Sequence, residues 1–291
     1  RARNSIRHTV GQVLNALGAA PQEAVAVSPL TASDVSTLRL SWESHFTQPE
    51  LVGHLEAHPT LACRVPGANE YCIGDLWQER ADIGIILEVA GERHRASLVE
   101  RLVEAFRAGS ARMVLLSQDE EQRALRFYQS RGWSAMQEVL VYRRSQSPIP
   151  PVQSRLAMVT LTPTRLPDLM SLESASFPWL WRFGAPYLQE TAIAPNRRLL
   201  LGYEGSRLVG YIVIALHGNF GHLDRLAVDP VLQGNSYGAE LLARALHEMA
   251  ARGASTMGLS TQKENYRSQS LYERFGFQRV GAYTMYGKWI A

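Results

Sequence analysis

Cysteine is nearly absent: two in 291 residues, Cys63 and Cys72. Two are too few for a disulfide scaffold, and the count suits a reducing compartment, so the expected location is cytoplasmic. Neither has a histidine or second cysteine at metal-ligand spacing, so no metal is expected. They could face each other across neighbouring strands, or both be buried thiols. Lysine also occurs only twice, at Lys263 and Lys288, among 30 basic residues. The arginine bias suits bidentate anion recognition, although a GC-rich genome leaves the same trace. There is no Lys/Arg block, the net charge is +3 and the isoelectric point about 9.0. That mild balance argues against a nucleic-acid partner. No apolar run approaches the roughly 18 residues of a membrane span, so no membrane partner is expected. The first residues intersperse Arg, Asn and His with Ile6, Val10, Val13, Leu14 and Leu17. That spacing predicts an amphipathic helix within residues 1–20, not a signal peptide, which needs an unbroken apolar segment.

What the chain does have is a core. Apolar residues make up 46% and charged residues 20%, a globular balance, and the length suits two domains. The clearest break is residues 145–154, SQSPIPPVQS, where Pro148, Pro150 and Pro151 cannot continue a helix or a central strand. The expected division is a helix over 1–20, a first domain over 21–146, a stiff linker over 147–154 and a second domain over 155–291.

The halves read as a diverged repeat. Ala124–Trp133 (ALRFYQSRGW) and Gln269–Phe277 (QSLYERFGF) align Tyr128 with Tyr272, Gly132 with Gly276, and Trp133 with Phe277 at one constant offset. Around them, periodicity predicts strands at Arg198–Tyr203, Arg207–Leu216, Leu223–Val228 and Thr256–Ser260, with helices at Tyr237–Arg252 and Arg267–Phe275. In the first half it predicts strands at Ile83–Val89 and Met113–Ser117 and helices at His94–Ala108 and Glu121–Arg131. Such alternation argues an α/β sheet containing a parallel pair.

The chemistry concentrates in residues 223–239, LDRLAVDPVLQGNSYGA. A strand enters a small-residue loop that opens a helix. The first helical amides lack internal partners and carry the positive end of the dipole, so together with small residues they form a phosphate cradle. This segment resembles the acyl-CoA-binding motif of the GCN5-related N-acetyltransferase (GNAT) superfamily, with Gln233, Ser236 and Gly238 at its key positions. The preceding LAVDP, the downstream Asn265, and Leu271-Tyr272 with Gly276-Phe277 extend the resemblance over most of residues 156–291. It implies two tandem GNAT-like α/β domains, each a mixed, mostly antiparallel sheet flanked by helices, with the second domain catalytic.

The resemblance also implies roles. Amides of Gln233, Gly234, Asn235, Ser236, Tyr237 and Gly238 would hold the pyrophosphate of acetyl-CoA, the cosubstrate. The backbone of Leu226, Ala227 and Val228 would pair with the pantetheine arm like an added strand, the Val228 amide polarising the thioester carbonyl. Asn265 would bind the pantetheine or orient the next helix. Tyr272 would protonate the departing thiolate; beside Leu271 and Phe275 its ring also suits plain packing. Asp224 is the expected general base, directly or through water; a solvated carboxylate or a partner for Arg225 is the other reading, and His222 and His217 are weaker candidates.

Phe177, Trp179 and Trp181 are expected to form the acceptor pocket, or to plug a loop over the core. Their Phe-Pro-Trp resembles that of ribosomal-protein alanine N-acetyltransferases, which carry a Glu where this chain has Ser260; Glu264 is shifted along the chain. Ser236 stands where the family has Gly, at a position that invites positive φ. In the first half, Glu88–Ser97 has one glycine, Gly91, placed early among bulky charged residues, so that half is expected to keep the fold without CoA binding, an arrangement similar to mycothiol synthases. The expected reaction is direct acetyl transfer to a primary amine on a small molecule or a protein N-terminus, by a monomer or homodimer. A non-catalytic acyl-CoA sensor or partner-binding module stands as the alternative.

Overall fold

The computed structural model describes residues 25–41, 44, 46–145 and 147–290; the helix expected over 1–20 lies outside them. The chain divides into two compact units, Arg1–Ile73 with Glu88–Ala105, and Gly74–Leu87 with Phe106–Ala291. In the first unit, β1 (Ser28–Pro29), β2 (Ala62–Val65) and the start of β3 (Glu70–Leu76) pair antiparallel. Cys63 stands directly opposite Cys72, and both are buried. Helix α1 (Gln48–Ala57) begins at Thr47, whose hydroxyl and amide both donate to the Glu50 carboxylate, a reciprocal cap that satisfies the helix start. Strand β4 (Ile83–Ala90) begins in the second unit and ends in the first, and most of helix α2 (Arg95–Ala108) lies in the first.

In the second unit the elements run β5 (Met113–Leu116), α3 (Gln118–Gln129), β6 (Ser134–Ser145), β7 (Ala157–Thr160), α4 (Leu166–Ser176), α5 (Ala185–Ile193), β8 (Arg197–Glu204), β9 (Arg207–His217), β10 (Phe220–Val228), α6 (Tyr237–Ala251), β11 (Thr256–Gln262), α7 (Tyr266–Arg274) and β12 (Gln278–Trp289). They lie in the order β4-β5-β12-β6-β11-β10-β9-β8-β7. The pairs β4–β5 and β10–β11 are parallel, as the alternation of strands and helices required. Their neighbours were not foreseen. The closing strand of the second half, β12, pairs with β5 of the first, and β6 of the first pairs with β11 of the second, while β6 and β12 pair with each other. The two halves have exchanged their last strands.

Helix α6 buries Leu241, Leu242, Ala245, Leu246 and Met249 against Ile212, Ile214 and Leu223 on one face of the sheet. On the other face, Leu169, Leu172 and Leu188 of α4 and α5 pack on Leu199, Leu201, Tyr211 and Val213. Strands covered on both faces read as near-continuous apolar runs, which is how β9 reads. The repeat is also visible in detail. Gly132 and Gly276 take φ of 82° and 80° after α3 and α7. The Trp133 and Phe277 amides donate back to the carbonyls of Tyr128 and Tyr272 at 3.2 and 3.1 Å, and each pair of rings meets edge to face.

Candidate active site

The loop after β10 is built to leave amides free. Asp229 accepts from the Val231 amide at 3.1 Å and starts a short turn; Gly234 and Ser236 then take φ of 91° and 66°. The Ala239 and Glu240 amides are satisfied by the Ser236 carbonyl at 3.1 and 3.2 Å. Among the described residues no partner is seen for the amides of 234–238. This is an anion cradle at the N-terminus of a 15-residue helix. Its floor is braced from behind: the buried Glu240 carboxylate accepts the Arg155 and Leu156 amides at 2.7 Å each. The Gln233 amide donates to the Val228 carbonyl at 3.2 Å and its oxygen accepts from Arg267. The Tyr237 hydroxyl donates to Glu204 at 2.6 Å under the Arg155 guanidinium, so its backbone amide is what it offers the cradle.

A cavity of about 400 Å³ lies over this loop, lined by Leu226, Ala227, Val228, Gln233, Gly234, Ser236, Tyr237, Gly238 and Asn265, with Arg267 and Arg274 beside them. Asn235 is not in its wall; its side chain donates to the Leu232 carbonyl at 3.0 Å. A Cβ on Gly238 would meet only Leu271 and Val228, at 3.5 and 3.8 Å, so the glycine is dictated by room in the cavity and not by packing. Asn265 caps α7, accepting from the Ser268 amide at 3.3 Å and donating to Thr261 at 3.2 Å.

Strands β10 and β11 pair only from Phe220–Thr256 to Leu223–Leu259. Beyond that point β11 continues along β6 while β10 bulges at Asp224, and the strands splay. A second cavity, about 290 Å³, opens in the gap. It shares Phe177, Leu226, Asn265 and Ser268 with the first, so the two adjoin. Tyr272 faces the second cavity from α7. Burial pushes its phenol up to about 12, against opposing pulls from the Ser268 side chain and Arg225, so it holds its proton throughout the neutral range.

The three aromatic residues expected at the acceptor side separate. Phe177 and Trp181 line the second cavity. Trp179 does not: it stacks on Trp289 at 5.3 Å, donates its indole N–H to Asp82 at 2.7 Å and carries the Arg80 guanidinium on its face. Trp77 and Gln78, from the first half of the chain, are also in the cavity wall. Gln78 and Glu79 both take φ of 56°, and the Gly184 amide donates to the Gln78 carbonyl at 3.0 Å. Backbone strain of that kind persists where its surroundings hold it.

Sequence reasoning missed Arg225. It is 7% exposed and clamped between Phe177 and Phe183, with ring centroids 4.0 and 3.4 Å away. Its guanidinium pairs with the buried Glu173 at 3.0 Å and donates to the Trp181 carbonyl at 2.6 Å; Tyr211 donates to the other oxygen of Glu173. The only available signal was an arginine in a strand that must be covered on both faces, which demands a buried anion. Asp224 is therefore not the partner of Arg225. It accepts from the His222 ring at 2.6 Å and lies 3.9 Å from Arg197. Ser260 lines the cavity; Glu264 is turned to Gln137; His217 is at the exposed end of β9.

In the first unit the equivalent strand-to-helix turn is occupied by the chain itself. Gly91 takes φ of 102°, and a Cβ there would collide with the Glu70 side chain at 2.3 Å. The Glu70 carboxylate accepts from the His94 amide and meets the His94 ring, both at 3.0 Å.

Splayed parallel strands beside a helix-terminal anion cradle define an α/β fold built to hold a phosphorylated ligand. Residues 166–277 match the model of the acetyltransferase (GNAT) family. That segment is a GNAT domain, and the chain as a whole shares its fold with solved tandem GNAT proteins. It is 28% identical over 211 residues to a mycothiol acetyltransferase of Gordonia bronchialis, spanning 67% of this chain and 68% of that one. Over 58 residues it is 38% identical to the [ribosomal protein bS18]-alanine N-acetyltransferase of Haemophilus ducreyi, 20% of this chain and 40% of that one. A solved tandem GNAT protein from the clavulanic acid biosynthesis pathway has the same fold at a TM-score of 0.59 and 15% identity, over 91% of this chain and 98% of that one. Among the described residues no helix is long and apolar enough to cross a membrane.

Proposed function

We propose that this protein transfers an acetyl group from acetyl-CoA to a primary amine, with the donor bound by the C-terminal half and the acceptor in a cavity lined mainly by that half. The observation that carries the reading is the adjacency of the two cavities: the anion cradle shares a wall with the gap between β10 and β11, where Tyr272 stands. Free amides at 234–238 would hold the pyrophosphate. The edge of β10 past Leu223 has lost β11 as its partner and would pair with the pantetheine arm. The Val228 amide would stabilise the oxyanion, and Tyr272 would protonate the leaving thiolate. Holding amine and thioester together would supply most of the rate.

Asp224 is the one carboxylate in the wall of the second cavity, which otherwise is rich in aromatic faces; both features suit an ammonium. The relatives' names point to acceptors as different as mycothiol and a ribosomal protein's alanine, so the acceptor screen should include glucosamine, an alanyl peptide, spermidine and an aminoglycoside. Calorimetric titration with acetyl-CoA should give a stoichiometry near one, abolished by Gly238→Glu, which sets a carboxylate in the cradle without a clash at Cβ. A stoichiometry near two would mean that the first half also binds; no binding would remove the enzyme reading.

A further inference from the structure

The acceptor cavity contains a histidine whose tautomer is set. His222 and Asp224 both line it. They sit two residues apart on β10, and the His222 Nδ1 is 2.6 Å from Asp224 Oδ1. A carboxylate oxygen accepts, so Nδ1 carries the hydrogen and the neutral ring's Nε2 keeps its lone pair. The second oxygen of Asp224 lies 3.9 Å from the Arg197 guanidinium, and Arg197 receives support from the Tyr187 hydroxyl at 2.6 Å. The opposing strand makes room for the ring: a Cβ on Gly258 would be 3.5 Å from His222 Cδ2 and 2.6 Å from Phe220. Two residues further along β11, Ser260 presents a hydroxyl and no charge. The charged and titratable groups around the ring are thus Asp224 on its own strand, Arg197 and Tyr187 from β8 and α5, and Arg143 of β6, which stands over Phe220 at 5.8 Å.

We propose that His222 Nε2 takes the proton from the incoming ammonium, and that Asp224 is a positioning residue that fixes the ring; this rests on the acyl-transfer reading above. The step balances without any further reactant. The ammonium gives one proton to Nε2 and its nitrogen lone pair forms the bond to the thioester carbonyl carbon. As the C–S bond breaks, the sulfur takes the Tyr272 proton, and the phenolate recovers one from the nitrogen that is becoming an amide. The imidazolium then releases its proton to water.

Two measurements test this. Nitrogen-correlated NMR of the imidazole should show the Nδ1–H tautomer for His222, lost in Asp224→Asn; the Nε2–H tautomer in the wild type overturns the proposal, and this readout needs no turnover. With the fastest amine of the panel, His222→Asn should lower kcat/KM by about 100-fold or more. Its plateau with pH should give way to a climb toward the amine's own ionisation. Asp224→Asn should be slower than wild type but keep the plateau, and imidazole should partly rescue His222→Ala. Neither residue lines the first cavity, so acetyl-CoA affinity should stay within about twofold in all variants, which separates this test from that of the cradle. If Asp224→Asn loses the plateau while His222→Asn keeps it, the carboxylate is the base and the proposal fails.

Discussion

Tyr272 is a phenol whose surroundings forbid its anion. Burial raises it to about 12, above the ordinary value of about 10 in an unfolded chain. Between those two values the unfolded state has released a proton that the folded state keeps, so stability falls as pH rises through that window and is fully present below it. Chemical denaturation from pH 9 to 12 should therefore show a steeper loss in wild type than in Tyr272→Phe, by up to about 2–3 kcal/mol. The same variant should lower kcat by about 100-fold with acetyl-CoA affinity unchanged; unchanged kcat would leave Tyr272 as core packing. Its position was legible because Tyr and a Gly-aromatic pair recur at a fixed offset in the other half. Arg225 was not, because a buried ion pair depends on Glu173, some fifty residues away on another element, and nothing local announces it. The pairing of His222 with Asp224 was within reach, since alternate strand residues share a face, yet each was weighed alone.

At the scale of the element, the loop that opens α6 holds a conflict. Ser236 lies in the left-handed region at φ 66°, ψ 6°, where a Cβ costs about 1–2 kcal/mol. Ser236→Gly should raise stability by about 0.5 kcal/mol, since the relief is partly offset by glycine's greater freedom in the unfolded chain, and it should leave acetyl-CoA affinity equal or tighter. A looser complex would show that the hydroxyl itself contributes to binding. The four strands and two helices predicted for the second half fall within a few residues of those observed because their apolar periods are long and bounded by Gly, whereas β7, α4, α5 and β12 carry no such period. The bulge at Asp224 and the exact partners of β6 and β12 were not: a period of two shows which residues share a face, never which strand will lie alongside.

The exchange of β6 and β12 is a property of the whole molecule. Each is wedged between a strand of the other half and its own counterpart. Cutting a protease site placed in residues 147–154 should leave the fragments co-eluting near the intact 32.4 kDa until denaturant is added, and residues 155–291 produced alone should not yield a folded monomer. Two separately eluting, folded fragments would contradict this. There is also a consequence for the order of synthesis. Strand β5 leaves the ribosome long before its partner β12, so the first half must wait with an open edge while the second half is made. The two duplicated units are therefore completed together, by a single strand of the second half.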